Sequence, residues 1–222
     1  MSSHPKPPDQ LDVDLELTPA DWPSPEVYFL MTGLVVPRPI AWISTLGEDG
    51  TRNLAPHSYF NVVAHEPPHV VFSSSSVKDT LRNVRATGEF VVNLTTQHVL
   101  EQMNATSADL PHGEDEFAWF GVEEAPSRTV APPRVEAAVA HLECRSVQEV
   151  EAGNGHIIVG EVVHVHVAKD VWAGGRVDPE LLDPVCRLAG TGYARLGEVF
   201  KLPRPAWDDL RDLPLEERIP RR

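Results

Sequence analysis

Short apolar runs bounded by turn residues dominate this chain, and long helical periodicity is rare. Ile40 to Thr45 reads as a strand closed by Gly47-Glu48-Asp49-Gly50, a strong turn signal. Val70 to Ser73 and Phe90 to Leu94 are further apolar runs of strand length. Val139 to Val150 and His156 to Val167 are longer, rich in β-branched residues, and joined by Gly153-Asn154-Gly155, which predicts a hairpin. Two short helices are expected. One spans Thr80 to Ala86, with Asp79 as cap and Gly88 as stop. The other spans Val99 to Asn104, with Val99, Leu100 and Met103 on one face. Closely spaced strands with few helices predict a closed or half-closed β-barrel with small helical additions. Glu161 falls on the apolar strand face of Val159, Val163 and Val165, so a bulge is expected beside it, where Gly160 permits one.

The ends of the chain break this pattern. Residues 1–20 are polar and proline-rich and read as a loose arm. Residues 202–222 read as a second arm, with Trp207 and Leu210 as anchors. One domain, residues 21–201, lies between them. With 41% hydrophobic residues, it can bury a substantial core.

Charge and composition then narrow the function. The formal net charge of -14 repels phosphate backbones and disfavours nucleic-acid binding. No apolar run approaches the roughly 20 residues that cross a bilayer, so no membrane association is expected. The first residues lack a basic region followed by an apolar stretch, so no secretory signal is expected either. Cys144 and Cys186 stand far apart and form neither a disulfide framework nor a zinc spacing; a reducing cytoplasm is the simplest compartment. His164 and His166 share a strand face, but no third ligand stands near them. No metal site is expected, and that face reads as solvent or subunit contact.

Small and hydroxyl-bearing residues concentrate between Pro37 and Asn93, where a phosphorylated, flat aromatic cofactor would need them. In Ser73-Ser74-Ser75-Ser76-Val77-Lys78-Asp79-Thr80 a strand ends in hydroxyls and a helix begins. Free N–H groups at a helix start attract anions, Lys78 adds a full charge, and hydroxyls donate to phosphate oxygens. The competing view is a polar loop with Asp79 as an ordinary cap. In Asn53-Leu54-Ala55-Pro56-His57-Ser58 the small residues let a flat ring approach, with Asn53 and Ser58 offering directional hydrogen bonds. The plainer view is a strand ending at Pro56. In the strand Pro39 to Thr45, Trp42 reads as core, and Ser44 and Thr45 sit at the end where backbone amides meet a ring edge. No GxGxxG follows a strand, and there is no P-loop and no GxSxG.

The stretches PRPIAWIST, NLAPHSYFN, VVFSSSS, KDTLRNVRATGEFVVN, HLEC, GHIIVGEVV and RLAGTGYARLG occur in this order over roughly residues 25 to 200. In them the chain resembles the flavin reductase-like proteins with an FMN-binding split barrel, a group that includes flavoredoxins. The resemblance implies a mainly β fold, an antiparallel six-stranded Greek-key-like barrel with short helices. It also implies a homodimer with FMN near the subunit boundary. Carried over by position, Ser44 and Thr45 become flavin contacts, and Asn53, Ala55, Pro56 and Ser58 the loop along the ring. Ser73, Ser74, Ser75, Lys78, Asp79 and Thr80 become the phosphate and ribityl cradle, and His156 a histidine near the flavin. RLAGTGY departs from the family's usual double glycine, and Arg187 and Tyr193 take no assigned role.

The activity implied is hydride transfer from NADH or NADPH to FMN, with a partner oxygenase or another acceptor downstream. Transient nicotinamide binding on the flavin face would explain why no Rossmann motif is present, and no acid or base need be essential. Two other readings stand beside it: an FMN electron carrier without direct nicotinamide chemistry, and a non-redox split barrel that binds another ligand or acts as a hydrolase.

Overall fold

The computed structural model describes residues 14–218. Residues 1–13 of the expected N-terminal arm and 219–222 of the C-terminal one lie outside the described residues.

Seven strands form one antiparallel sheet. The short strand β1 (Arg38–Pro39) runs directly into β2 (Ala41–Leu46), followed by β3 (Arg52–His57), β4 (Phe60–His65), β5 (Pro68–Ser74) and β6 (Glu89–Leu94). Next come the small pair β7 (Glu124–Ala125) and β8 (Arg134–Val135), then β9 (Ala140–Ala152) and β10 (Gly155–Val167). The hairpin β11 (Trp172–Ala173) and β12 (Arg176–Val177) follows, and β13 (Val185–Arg187) and β14 (Tyr193–Arg195) pair beside β1. Helices α1 (Ser24–Leu34), α2 (Asp79–Thr87), α3 (Leu100–Ala105) and α4 (Glu116–Phe120), with the single turns α5 (Pro179–Leu182) and α6 (Trp207–Leu210), complete the described chain.

The large sheet runs in the order β3-β2-β6-β9-β10-β5-β4. Strands β3 and β4 stand at opposite ends of it, yet only Ser58 and Tyr59 separate them in sequence. The sheet must therefore curl until its ends meet. They meet loosely: His57 Nδ1 lies 3.4 Å from the Ser73 carbonyl, and no ladder joins β3 to β5. Pro56 sits in β3, on the edge strand where a missing N–H costs least. The result is a barrel with an open seam. Its sheet has seven strands where the resemblance implied six. Strand β4 escaped the sequence pattern because it is exposed on both faces, Val62 and Val63 included.

Local rules explain most of the rest. Gly153 takes φ +59° in the two-residue turn between β9 and β10, as that turn type requires. The register shift expected beside Gly160 is present, and the extra residue, Val147, lies on β9. Gly160 itself is needed for packing, because a Cβ there would lie 2.3 Å from the Phe90 ring. Strand β2 is covered on both faces. Ala41 and Ile43 join Phe72, Leu81, Val84 and Phe90 inside the barrel under α2. Ile40 and Trp42 join Leu54, Met103 and Phe117 on the other side, under α3 and α4. Double coverage buries both faces of β2, and it buries Trp42 completely, with its indole N–H donating to Thr106 Oγ1 at 2.8 Å.

Candidate functional site at the barrel seam

A cavity of about 840 Å³ opens along the seam. One wall is the free edge of β3, with Asn53, Ala55, Pro56, His57 and Ser58. A second is the end of β5 and the start of α2, Ser73 to Thr80. The α1 side chains Val27, Tyr28 and Met31 form an apolar wall, and the segment Ser107 to Leu110 with His112 closes the end over α2. Of the residues expected to contact a flavin, Asn53, Ala55, Pro56, Ser58, Ser73, Ser74, Ser75, Lys78, Asp79 and Thr80 line this one cavity.

Ser44 and Thr45 do not reach it. Both are fully buried, because β2 is sandwiched between helices and exposes no strand end. Ser44 Oγ donates to the Pro133 carbonyl and accepts from Asn93. Thr45 Oγ1 accepts from Asn53 and Asn83, so it supports the wall from behind. His156 also stands apart from the lining. Its Nδ1 lies 3.0 Å from Glu149 Oε1, and Arg85 bonds the same carboxylate. Glu149, Glu151 and His156 form a group with metal-ligand spacing, but the Arg85 guanidinium already neutralises Glu149 and holds its carboxyl at about 2.

Each wall is braced by hydrogen bonds. Asn53 Nδ2 donates to Thr80 Oγ1 at 3.0 Å and ties β3 to α2. His57 on β3, which the sequence pattern did not single out, reaches the Ser73 carbonyl on β5 and Thr80 Oγ1 on α2. Burial pushes its pKa down to about 4, so it is neutral across the physiological range. Ser74 Oγ donates to the Ser76 carbonyl at 2.7 Å and shapes the hydroxyl-rich turn.

Asp79 is not the helix cap. Lys78 occupies the N-cap position, with extended backbone and no side-chain cap bond. The Asp79 carboxylate instead receives Gly113 N–H at 3.0 Å, His112 Nδ1 at 2.5 Å and Arg82 at 2.7 Å. Burial alone would raise its pKa, and these donors outweigh it and hold it below the usual range. Asp79 thus anchors the loop that closes the cavity.

Lys78 Nζ lies 2.9 Å from Asp109 Oδ1, both side chains exposed at the head of α2. Glu116 is a lining residue that spacing could not reveal. It is buried, accepts Leu54 N–H at 2.9 Å, and has its pKa raised by desolvation, with Asp79 and Asp115 adding to the effect. Its one legible signal is the helix start and stop around it. Asp115 caps Ala118 N–H at 3.2 Å, and Gly121 ends α4 at φ 61°. Arg187 and Tyr193 turn out to be structural: the tyrosine hydroxyl links Arg187 to Asn104.

The seam of this antiparallel barrel brings a hydroxyl- and lysine-bearing helix start and a wall of small residues into one cavity. The chain belongs to the flavin reductase-like family: the description "Flavin reductase like domain" matches residues 32–179. It is 36% identical over 209 residues to an uncharacterized protein, BH2278, of Halalkalibacterium halodurans, covering 89% of this chain and 100% of that one. The structure of nitrilotriacetate monooxygenase component B from Bacillus cereus superposes with a TM-score of 0.82 at 34% identity, over 86% of this chain and 100% of that one. The 2-nitrobenzoate 2-nitroreductase NbaA of Pseudomonas fluorescens gives 0.81 at 29% identity, over 87% and 98%. Family membership implies a flavin cofactor.

Proposed function

We propose that the seam cavity binds FMN and that the protein reduces it with NADH or NADPH. The observation that carries this reading is the pairing of Lys78 with a carboxylate at the head of α2, inside the same cavity as the low wall Ala55-Pro56. An anionic end and a flat end in one cleft suit a flavin mononucleotide. Lys78, Ser75 and the free N–H groups at the start of α2 would hold the phosphate. Thr80, Asn53 and Ser73 would meet the ribityl chain, and Ala55, Pro56 and Ser58 would lie along the ring. When bound, the flavin supplies the redox chemistry, taking a hydride from the nicotinamide. The chain's task is to orient the ring and to shield it, with Tyr28 and Met31 of α1 as the apolar cover.

The acceptor is proposed to be a partner oxygenase, in keeping with the likeness to a monooxygenase component B. A homodimer in the cytoplasm completes the proposal, with residues 21–201 as the working domain. Both cysteines are free, which suits a reducing compartment, and no helix among the described residues is long and apolar enough to cross a membrane.

The test is anaerobic mixing of purified protein with FMN and NADH or NADPH. Bleaching of the flavin absorbance faster than in a protein-free control supports a reductase. A stable yellow protein without accelerated bleaching would leave the electron-carrier reading standing. A colourless protein that FMN cannot reconstitute would remove both.

A further inference from the structure

We propose that Glu116 is a further binding residue of the seam cavity: it is uncharged in the complex, and a phosphorylated ligand therefore enters together with one proton. This rests on the flavin reading above and adds to it a proton that the reading does not require.

Glu116 combines three properties that the other acids lining the cavity, Asp79 and Asp109, do not share. It is 7% exposed, it faces the cavity, and it has no cationic partner among the described residues. Its Oε2 accepts the Leu54 N–H at 2.9 Å, and its Oε1 receives no donor from elsewhere in the described chain. Strand register fixes where that bond lies. Leu54 stands opposite Ser44 of β2, and Pro56 opposite Trp42. Pro56 has no N–H to give to β2. In the alternation of an antiparallel ladder, Leu54 and Pro56 therefore both turn their backbone groups to the free edge of β3. Glu116 takes the one amide hydrogen that this edge offers between Asn53 and His57. That bond pins the carboxyl group to the cavity wall, two residues from Pro56.

The charges around it are already paired with one another. On α4 itself, Asp115 pairs with Arg52 of β3, which also holds Glu124, and Glu114 accepts the Trp119 indole N–H. At the head of α2, Asp79 is held by Arg82 and His112, and Lys78 by Asp109 of the closing segment. His57 on β3 is kept neutral by burial. Glu116 is left in the field of Asp79 and Asp115 with no countercharge. Burial raises its pKa, and those two acids add to this, against the Leu54 N–H and its own backbone N–H.

A dianionic phosphate in the same poorly solvated cleft repels the carboxylate further, and the neutral acid becomes the lower-energy state. The proton comes from solvent and forms an O–H bond on the carboxyl group, which turns an acceptor into a donor towards the ligand; no electron moves. Riboflavin brings no charge and requires no such proton.

The test is calorimetric titration of the full-length protein with FMN and with riboflavin at about pH 7.5, where the phosphate is already dianionic. Each titration is run in HEPES and in Tris, whose ionisation enthalpies differ. FMN should bind the natural protein with uptake of at least about half a proton, and its dissociation constant should rise with pH by up to about tenfold per unit. Riboflavin should bind without uptake. Glu116→Gln should still bind FMN, with neither uptake nor pH dependence. A second measurement needs no variant: in protein labelled with 13Cδ-glutamate, one carboxyl resonance should move to the protonated position on addition of FMN and stay in place with riboflavin. FMN bound without uptake, uptake that Glu116→Gln leaves unchanged, or equal uptake with riboflavin would each overturn the proposal and leave the flavin reading in place. A protein that binds neither flavin would remove that reading, and the proposal with it.

Discussion

Glu143 and Glu116 are both withdrawn from solvent, at 0% and 7% exposure, but the protein holds them in opposite ways. Glu143 sits on β9, away from the cavity. It accepts from Arg128 N–H at 2.7 Å and from Thr129 N–H, Thr129 Oγ1 and His166 Nε2 at 2.6 Å each. Burial alone would push its pKa up, and the four donors reverse that and hold it at about 2. Glu116 lines the cavity, accepts one backbone N–H, and is pushed up by desolvation beside Asp79 and Asp115. At Glu143 the donors outweigh desolvation, and at Glu116 desolvation prevails. The saturated carboxylate welds the frame, and the undersupplied one faces the place where a ligand would come.

The sharpest break of that comparison is Glu143→Ala. It strands three donors of the Arg128–Thr129 loop and frees His166, so unfolding stability should fall by roughly 3 to 5 kcal/mol, measured by urea titration. A loss below about 1 kcal/mol would mean the four bonds hold little. Acid titration of the natural protein tests the same point. The folded pKa of Glu143 lies below its unfolded value, so its contribution is present above about pH 4.5 and is lost as pH falls towards 2. His57 and His141, both held down to about 4 by burial, begin the decline earlier, below about pH 6.5. Stability should therefore fall in two stages on acidification, and Glu143→Ala should shrink the second, to which Glu149 and Asp79 also contribute.

On the cavity side, Lys78→Ala should weaken FMN about 10- to 100-fold, the worth of a charged hydrogen bond, while riboflavin affinity hardly changes. Fluorescence quenching titrations with both flavins decide it. Equal losses for the two would move the phosphate away from Lys78.

The contrast also explains what the sequence revealed. The hairpin at Gly153-Asn154, the stop at Gly88 and the hydroxyl run before α2 are local features, specified within a few residues, and they are found where the pattern put them. Ten expected contacts line one cavity because both of their segments flank a seam dictated by strand order. The misses are tertiary. Ser44 and Thr45 are excluded because helices from elsewhere cover both faces of β2. Glu116, the closing segment 107–110 and the α1 wall come to the site from distant parts of the chain, so no spacing rule connects them to Lys78. Asp79 reads as a cap because it precedes a helix, and only the arrival of Gly113 and His112 gives its carboxylate another task.

A smaller effect comes from Asp109→Asn. Asp109 competes for Lys78 across an exposed contact, where ion pairs are weak. Its removal should tighten FMN by about two- to fivefold at low salt, and the gain should shrink as ionic strength rises. A gain that salt does not touch would point to loop rearrangement in place of released charge.

Glu116→Gln should change least and is the most discriminating. The glutamine carbonyl still accepts the Leu54 N–H, so the wall keeps its bond, while the poorly solvated charge disappears. The sign is opposite to that of Glu143. An acid whose folded pKa is raised is penalised as pH climbs through that value, so the variant should match the natural protein near pH 4 and exceed it above neutrality, by no more than about 1 kcal/mol. Urea midpoints recorded across that pH range measure the difference. A variant less stable than the natural protein at every pH would mean that Glu116, like Glu143, is held by more donors than Leu54, and the distinction between welded frame and open site would fail at its central residue.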